Sequence, residues 1–268
     1  MPYKLIASDF DDTLVPRTRV VGERAVRAIG AAVDQGALFV LSTGRDMHVA
    51  RPVLEQLGLY GRDDQYAVLV NGCIVTTLAG NAIARHHMDK ADAELCYAIA
   101  RERGYFVQVN AMDATYVANV PESLTSLGST TDAIEMDEHD LSFLGDTPVL
   151  KVLYLHEGED YLRSIAAGLP QLTSRLDVTY SSDYCLEWLP RGVTKATGLR
   201  ELCERLGLGM SDVLAIGDSS NDAEMLEAAG LGVGVANITK AARPFCDYVC
   251  EAECDEGVAE AIERFVLG

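Results

Sequence analysis

The apolar run Leu5-Ile6-Ala7 stops at Asp9-Phe10-Asp11-Asp12-Thr13-Leu14. A run of strand length that ends in three carboxylates and a hydroxyl puts like charges at the carboxyl end of a strand. That is where open α/β sheets bind their ligands. Charges so crowded need a counterion. A hard divalent cation such as Mg²⁺ meets the need, because it is held by one or two carboxylates, waters and a substrate phosphate.

Working outward, residues 23–35 space Ala25, Val26, Ile29, Ala32 and Val33 at helical intervals, and Gly36 stops the pattern. Ala37-Leu38-Phe39-Val40-Leu41 reads as a buried strand ending in Ser42-Thr43-Gly44-Arg45. A second helical pattern through Val49, Val53, Leu54 and Leu57 leads to the strand Ala67-Val68-Leu69-Val70, which ends in Asn71-Gly72. Strand and helix in this alternation predict right-handed crossovers and a mainly parallel sheet. The alternation resumes after Val193. It gives a helix over 195–206, the strand Val213-Leu214-Ala215-Ile216 ending in Gly217-Asp218, and a helix over 222–229. Short strands at 231–235 and 248–249 and a closing helix over 258–265 complete it.

Between these two blocks the pattern changes. A helix at 91–103, paired strands at 105–109 and 115–118, loop or short helix over 130–146, a strand at 149–155, a helix at 161–167 and strands at 178–180 and 185–188 predict an α+β unit with an antiparallel sheet. Every polar cluster at a strand end lies near one terminus or the other. If those clusters form one site, the two ends fold together and the middle is an insertion. The expected division is 1–84 with 187–268 as the core and 85–186 as the inserted domain.

The chain has 268 residues, 49% of them hydrophobic, enough for two domains with real cores. No apolar run approaches the roughly 20 residues that span a bilayer. Met1-Pro2-Tyr3-Lys4 leads straight into a strand and not into a signal sequence. A cytoplasmic protein with no membrane partner is the expectation. A net charge of −19 repels polyanions, so nucleic acid is not expected as a partner, whereas a small phosphorylated molecule can be met locally by a metal and a few basic side chains. Seven cysteines scattered through the chain do not form a disulfide framework. Cys246, Cys250 and Cys254 lack the close pairing of a zinc site.

Together the strand ends offer Asp9, Asp11, Thr43, Lys195, Asp218, Asn221 and Asp222, a set that can carry phosphoryl transfer. Asp9 can attack phosphorus and form an aspartyl phosphate. Asp11 lies two residues on, and if the chain turns there it can serve as general acid and then base, with neighbouring carboxylates raising its proton affinity. Thr43 and the Gly44 N–H can face a phosphate oxygen, and Lys195 can steady both the Asp9 carboxylate and the phosphoryl group. Asp218 is a natural metal ligand, Asp222 is placed to bind through the ion's waters, and Asn221 can fix Asp218 or substrate.

These motifs, in this order, resemble those of the haloacid dehalogenase superfamily, in its Cof-like class IIB branch. Asp9 to Leu14 matches the first motif, Ser42-Thr43-Gly44-Arg45 the second, Lys195 the third, and Gly217-Asp218-Ser219-Ser220-Asn221-Asp222 the fourth. Asn71-Gly72, Glu187, Gly192-Val193-Thr194-Lys195, Met225-Leu226 and Asp255-Glu256-Gly257-Val258 also sit where that branch has similar residues. The resemblance implies a Rossmann-like three-layer core with an inserted α+β cap. It also implies Mg²⁺ as cofactor, bound by Asp9, the Asp11 backbone carbonyl and Asp218, and an Asp9 phosphoenzyme. The cap would close over the substrate. Asp12 departs from the pattern, which usually has glycine there. Aspartate tolerates left-handed backbone well enough for the turn. Arg45 and Asn71 join Thr43, Gly44, Lys195 and Asn221 as candidate substrate contacts, and Asp183, Tyr184 and Arg191 are candidates near the return to the core. The expected activity is hydrolysis of a small phosphomonoester, with sugar phosphates leading. A phosphotransferase or mutase is a second reading, and a non-enzymatic receiver module carrying an aspartyl phosphate a third. Against the third stand the second aspartate and the large insertion.

Overall fold

The computed structural model describes residues 2–121, 133–156, 158–182 and 184–268. These form two compact units, 1–85 with 194–268, and 86–193. The sequence reading placed the second boundary after 186. The strand that begins at Cys185 pairs within the inserted unit, so the chain returns to the other unit only at Thr194.

The discontinuous unit contains β1 (Leu5–Ser8), α1 (Glu23–Asp34), β2 (Leu38–Ser42), α2 (Met47–Gln56), β3 (Tyr66–Leu69), β4 (Ile74–Thr77) and β5 (Ala82–Arg85). The inserted unit follows with α3 (Lys90–Arg103), β6 (Phe106–Ala111), β7 (Thr115–Ala118), β8 (Ile134–Glu135), β9 (Val149–Leu155), α4 (Glu159–Ala167), α5 (Pro170–Thr173), β10 (Leu176–Ser182) and β11 (Cys185–Pro190). The first unit resumes with α6 (Lys195–Leu206), β12 (Val213–Gly217), α7 (Ala223–Ala228), β13 (Leu231–Gly234), β14 (Tyr248–Val249) and α8 (Cys254–Ile262).

The first unit holds one eight-stranded sheet in the order β14-β13-β12-β1-β2-β3-β4-β5. Its strands are parallel from β14 to β3, and β4 and β5 add an antiparallel edge. Parallel strands need both faces covered. On one face Leu5, Ala7, Val40, Val213 and Ala215 pack with Leu199 and Leu202 of α6 and Leu226 of α7. Residues of opposite parity, Ile6, Phe39, Leu214 and Ile216, are equally buried, and α1 packs against α8. The hairpin β4–β5 was not read from the sequence. The β-branched run Ile74-Val75-Thr76-Thr77 and the Gly80-Asn81 pair carried its signal.

The inserted unit holds a six-stranded sheet, β10-β11-β9-β6-β7-β8, antiparallel except for the last pair. One face carries Val107, Val109, Val152, Tyr154, Leu186 and Trp188 against residues of α3 and α4. Lys151 and Glu187, on adjacent strands, form a buried ion pair at 2.5 Å. The 130–146 segment contains β8 and a 3₁₀ turn at Ser142–Leu144, with 130–132 outside the described residues. Asp183 also lies outside them. Tyr184 is half exposed, and Arg191 pairs with Asp177 at 3.1 Å.

Candidate active site

Parallel pairing sets the site. The Asp9 N–H donates to the Ile216 carbonyl at 2.9 Å, which holds the end of β1 beside the end of β12, where Asp218 follows. The chain then turns. Asp12 takes φ 56°, its N–H donates to the Val15 carbonyl at 3.0 Å, and the Val15 N–H donates to the Phe10 carbonyl at 2.7 Å. Left-handed backbone at a non-glycine is rare, and Asp is among the residues that accept it. The turn delivers the Thr13 hydroxyl to Asp218 Oδ1 at 2.9 Å.

Lys195 is the first residue of α6. Thr194 caps the helix reciprocally with Thr197. The Thr197 N–H donates to Thr194 Oγ1 at 3.2 Å, and the Thr194 N–H donates to Thr197 Oγ1 at 2.8 Å. The cap locks the start of α6, and the Lys195 side chain enters the acid cluster with 1% exposure. Its Nζ donates to Asp9 Oδ1 at 2.5 Å and to Asp222 Oδ1 at 2.7 Å. The other Asp222 oxygen accepts the backbone N–H groups of Asp218 and Ser219, each at 3.1 Å. Asp222 is thus the brace of the Asp218 loop. Asn221 instead accepts the Ser219 hydroxyl at 2.7 Å.

One ammonium among three buried carboxylates leaves surplus negative charge. Burial, then the Asp222 carboxylate, raises the Asp9 carboxyl well above the ordinary range against the pull of Lys195. Burial and Asp222 likewise push Asp218 up to about 7, opposed by the Thr13 hydrogen bond. Burial works to discharge Lys195, but Asp222 and Asp9 outweigh it and hold the ammonium above its ordinary value. Asp9, Asp218 and Asp222 each offer an oxygen within 4.8 Å of the others. Lys195 and Thr13 take one oxygen each of Asp9 and Asp218 and leave the second oxygens to a cation. Hard oxygen donors with surplus negative charge fit a hard divalent ion.

The side chain of Asp11 departs from expectation. Its neighbours are arginines, whereas Asp222 crowds Asp9 and Asp218. Its carboxylate accepts from Arg45 Nε at 2.8 Å, Arg45 Nη2 at 3.3 Å and Arg19 Nη1 at 3.3 Å. Arg19 was not singled out in the sequence. Thr43, at the end of β2 and 1% exposed, accepts the Arg45 N–H at 3.0 Å. The Asn71 N–H donates to the Thr43 carbonyl at 2.9 Å, and the Asn71 side chain fills the space where a Cβ on Gly44 would sit 3.0 Å from its Oδ1.

Gly72 has φ 103°, and a Cβ there would lie 2.2 Å from the Thr194 carbonyl oxygen. The turn after β3 therefore touches the backbone that starts α6. Gly72→Ala is expected to destabilise the fold by on the order of 3 kcal/mol, combining steric overlap with backbone strain. Urea unfolding of the two proteins measures this, and equal midpoints would rule out the close approach.

A family model for haloacid dehalogenase-like hydrolases matches residues 6–262. With the acid cluster at the strand ends of an α/β sheet, this establishes the class: the chain belongs to the haloacid dehalogenase-like hydrolases. It is similar to the 5-amino-6-(5-phospho-D-ribitylamino)uracil phosphatase of Bacillus subtilis, 27% identical over 264 residues that cover 98% of this chain and 96% of that protein. A haloacid dehalogenase-like hydrolase from Bacteroides thetaiotaomicron superposes with a TM-score of 0.83 at 27% identity, covering 98% of this chain and 99% of that one. A subclass IIB sugar phosphatase shares the fold at 18% identity and a TM-score of 0.83, covering 98% of each chain. Among the described residues no helix is long and apolar enough to cross a membrane.

Proposed function

We propose that this phosphatase hydrolyses the monoester of a small phosphorylated metabolite, a sugar phosphate foremost, with Asp9 as nucleophile. The observation that carries the reading is the Lys195 ammonium held between Asp9 and Asp222 beside Asp218. Lys195 holds the Asp9 carboxylate in place for one of its oxygens to attack phosphorus. The Asp9–phosphorus bond forms as the ester bond breaks, and a water then releases phosphate from the aspartyl phosphate. Asp9, Asp218 and the Asp11 carbonyl would hold Mg²⁺, which would supply positive charge for the phosphate. Thr43 and the Gly44 N–H would donate to a phosphate oxygen, and Asn71, packed on Gly44, would shape that corner. Asn221 would help fix the Asp218 loop through its hydrogen bond from the Ser219 hydroxyl. Asp11 carries the proton to the leaving oxygen. A proton on its carboxyl would face the N–H donors of Arg45 and Arg19, so these two must turn aside for that step.

Incubation with p-nitrophenyl phosphate and a panel of sugar phosphates, including the phosphoribityl compound named for the Bacillus relative, tests the reading. Mg²⁺-dependent phosphate release is expected. None across the panel would end the hydrolase assignment, and phosphate passed to a second sugar would replace it with transfer.

The cation also has a pH signature. Without metal, Asp218 titrates in the folded protein near 7 against an ordinary 3.8. The folded state therefore holds the extra proton, and the stability it contributes is complete below about 4 and lost as pH rises through about 7. Mg²⁺ competes with that proton. The rise in melting temperature on adding Mg²⁺ is expected to be larger at pH 8 than at pH 5.5, and a rise independent of pH would contradict the cluster as the binding site.

A further inference from the structure

We infer that Asn237 is a positioning residue of the cation site, acting through Thr13 on Asp218; the inference rests on the metal reading above. Asn237 lies just beyond β13 and 225 residues from Asp12 in sequence. Its Nδ2 donates to the Asp12 carbonyl at 2.7 Å, and its Oδ1 accepts the Cys254 N–H at 2.9 Å. The Asp12 carbonyl and the Thr13 N–H belong to one peptide plane. Fixing that carbonyl fixes the peptide from which Thr13 reaches Asp218 Oδ1. Two residues further, the Thr239 N–H donates to the Asp218 carbonyl at 2.7 Å. One short segment thus grips both arms of the cluster, the nucleophile turn through Asp12 and the ligand loop through Asp218.

The need for such a grip is visible in the backbone. Asp12 sits at φ 56° and Cys254 at φ 48°, and Asn237 bonds to both. Strained non-glycine positions persist only where the surroundings over-determine them. Helix α8 receives no cap from its own preceding side chain, and Asn237 supplies an acceptor to its first N–H from outside. The helix is anchored in turn, since Asp255 Oδ2 accepts the Gly22 N–H at 2.6 Å. A side-chain amide does this job from one position, because it offers a donor and an acceptor on separate atoms, whereas an ionised aspartate has no donor.

Isothermal titration of Mg²⁺ into the metal-free full chain tests the inference without turnover. Asn237→Ala and Thr13→Val are each expected to weaken binding about tenfold, the scale on which partners behind the ligands act. Their double variant is expected to bind no more weakly than Thr13→Val alone, because one change acts through the other. Parental affinity in Asn237→Ala, or a double loss equal to the product of the single losses, would overturn the inference. Should Asn237→Ala fail to fold, Asn237→Asp decides. It keeps the acceptor for Cys254, and its added carboxylate alone would tighten a cation, so weaker binding reports the lost donor and equal or tighter binding overturns the inference. A parent chain that binds no Mg²⁺ removes the metal reading itself, a failure distinct from that of Asn237.

Discussion

Replacing Asp9 with asparagine is expected to abolish phosphate release while leaving the metal-free protein at least as stable as the parent. The loss follows from the nucleophile: an amide oxygen does not form the phosphoenzyme, and turnover should fall by roughly four orders of magnitude or more. The stability follows from the electrostatics. Burial and Asp222 disfavour the ionised Asp9 in the folded state more than Lys195 favours it. Asparagine removes the charge but keeps an oxygen to accept from Lys195. The melting midpoint should therefore hold or rise, by on the order of 3 °C for each kcal/mol of repulsion relieved. Calorimetry of both proteins in chelator, with a phosphate-release assay beside it, measures the two effects. Parental turnover in Asp9→Asn would refute the nucleophile assignment. A clear drop in melting temperature would refute the surplus of negative charge.

Lys195→Ala should do the opposite to stability. The ammonium is 1% exposed and bridges Asp9 and Asp222, 5% and 0% exposed. Its removal leaves two buried carboxylates facing each other without a cation, a change that typically costs about 3–5 kcal/mol. Phosphate release should vanish as well, because Asp9 loses the group that holds it in place. The double variant Asp9→Asn with Lys195→Ala is expected to recover part of the stability and none of the activity, since one of the stranded charges is gone. Denaturant unfolding at pH 7.5 of the parent, the two single variants and the double variant measures the coupling. Lys195→Ala as stable as the parent would mean that the lysine does not carry the charge balance of the cluster.

The contrast between these two variants shows how much of the site was legible beforehand. Asp9, Lys195, Asp218 and Asp222 each stand next to an apolar strand or at a helix start, so their convergence followed from the parallel alternation alone. Asp11 was legible as a residue but not in its surroundings. A period of two says only that it leaves the Asp9 face of a regular strand. Whether it then met acids or arginines depended on the left-handed turn at Asp12 and on Arg19, whose place no spacing rule gives. That Asp222 and not Asn221 takes the backbone N–H groups of the Asp218 loop has the same origin. Both follow Asp218 closely in sequence, and only the 3₁₀ turn Ser220–Asp222 decides which carboxylate or amide receives the loop's N–H groups.

What the amino-acid order determined by itself is the alternating architecture, the insertion between two halves of one sheet, and the identity of the acids at the strand ends. These are local consequences of apolar periodicity and of where it is interrupted. What only the tertiary structure decided is how each acid is held: Asp9 and Asp222 by Lys195, Asp218 by Thr13, the Asp12 turn by Asn237, and the start of α6 by its contact with Gly72. Those partners lie from 27 to 225 residues apart in sequence. The physical reason is that a hydrogen bond is decided by distance in space, and a long-range contact exists only once the sheet has brought its two ends together.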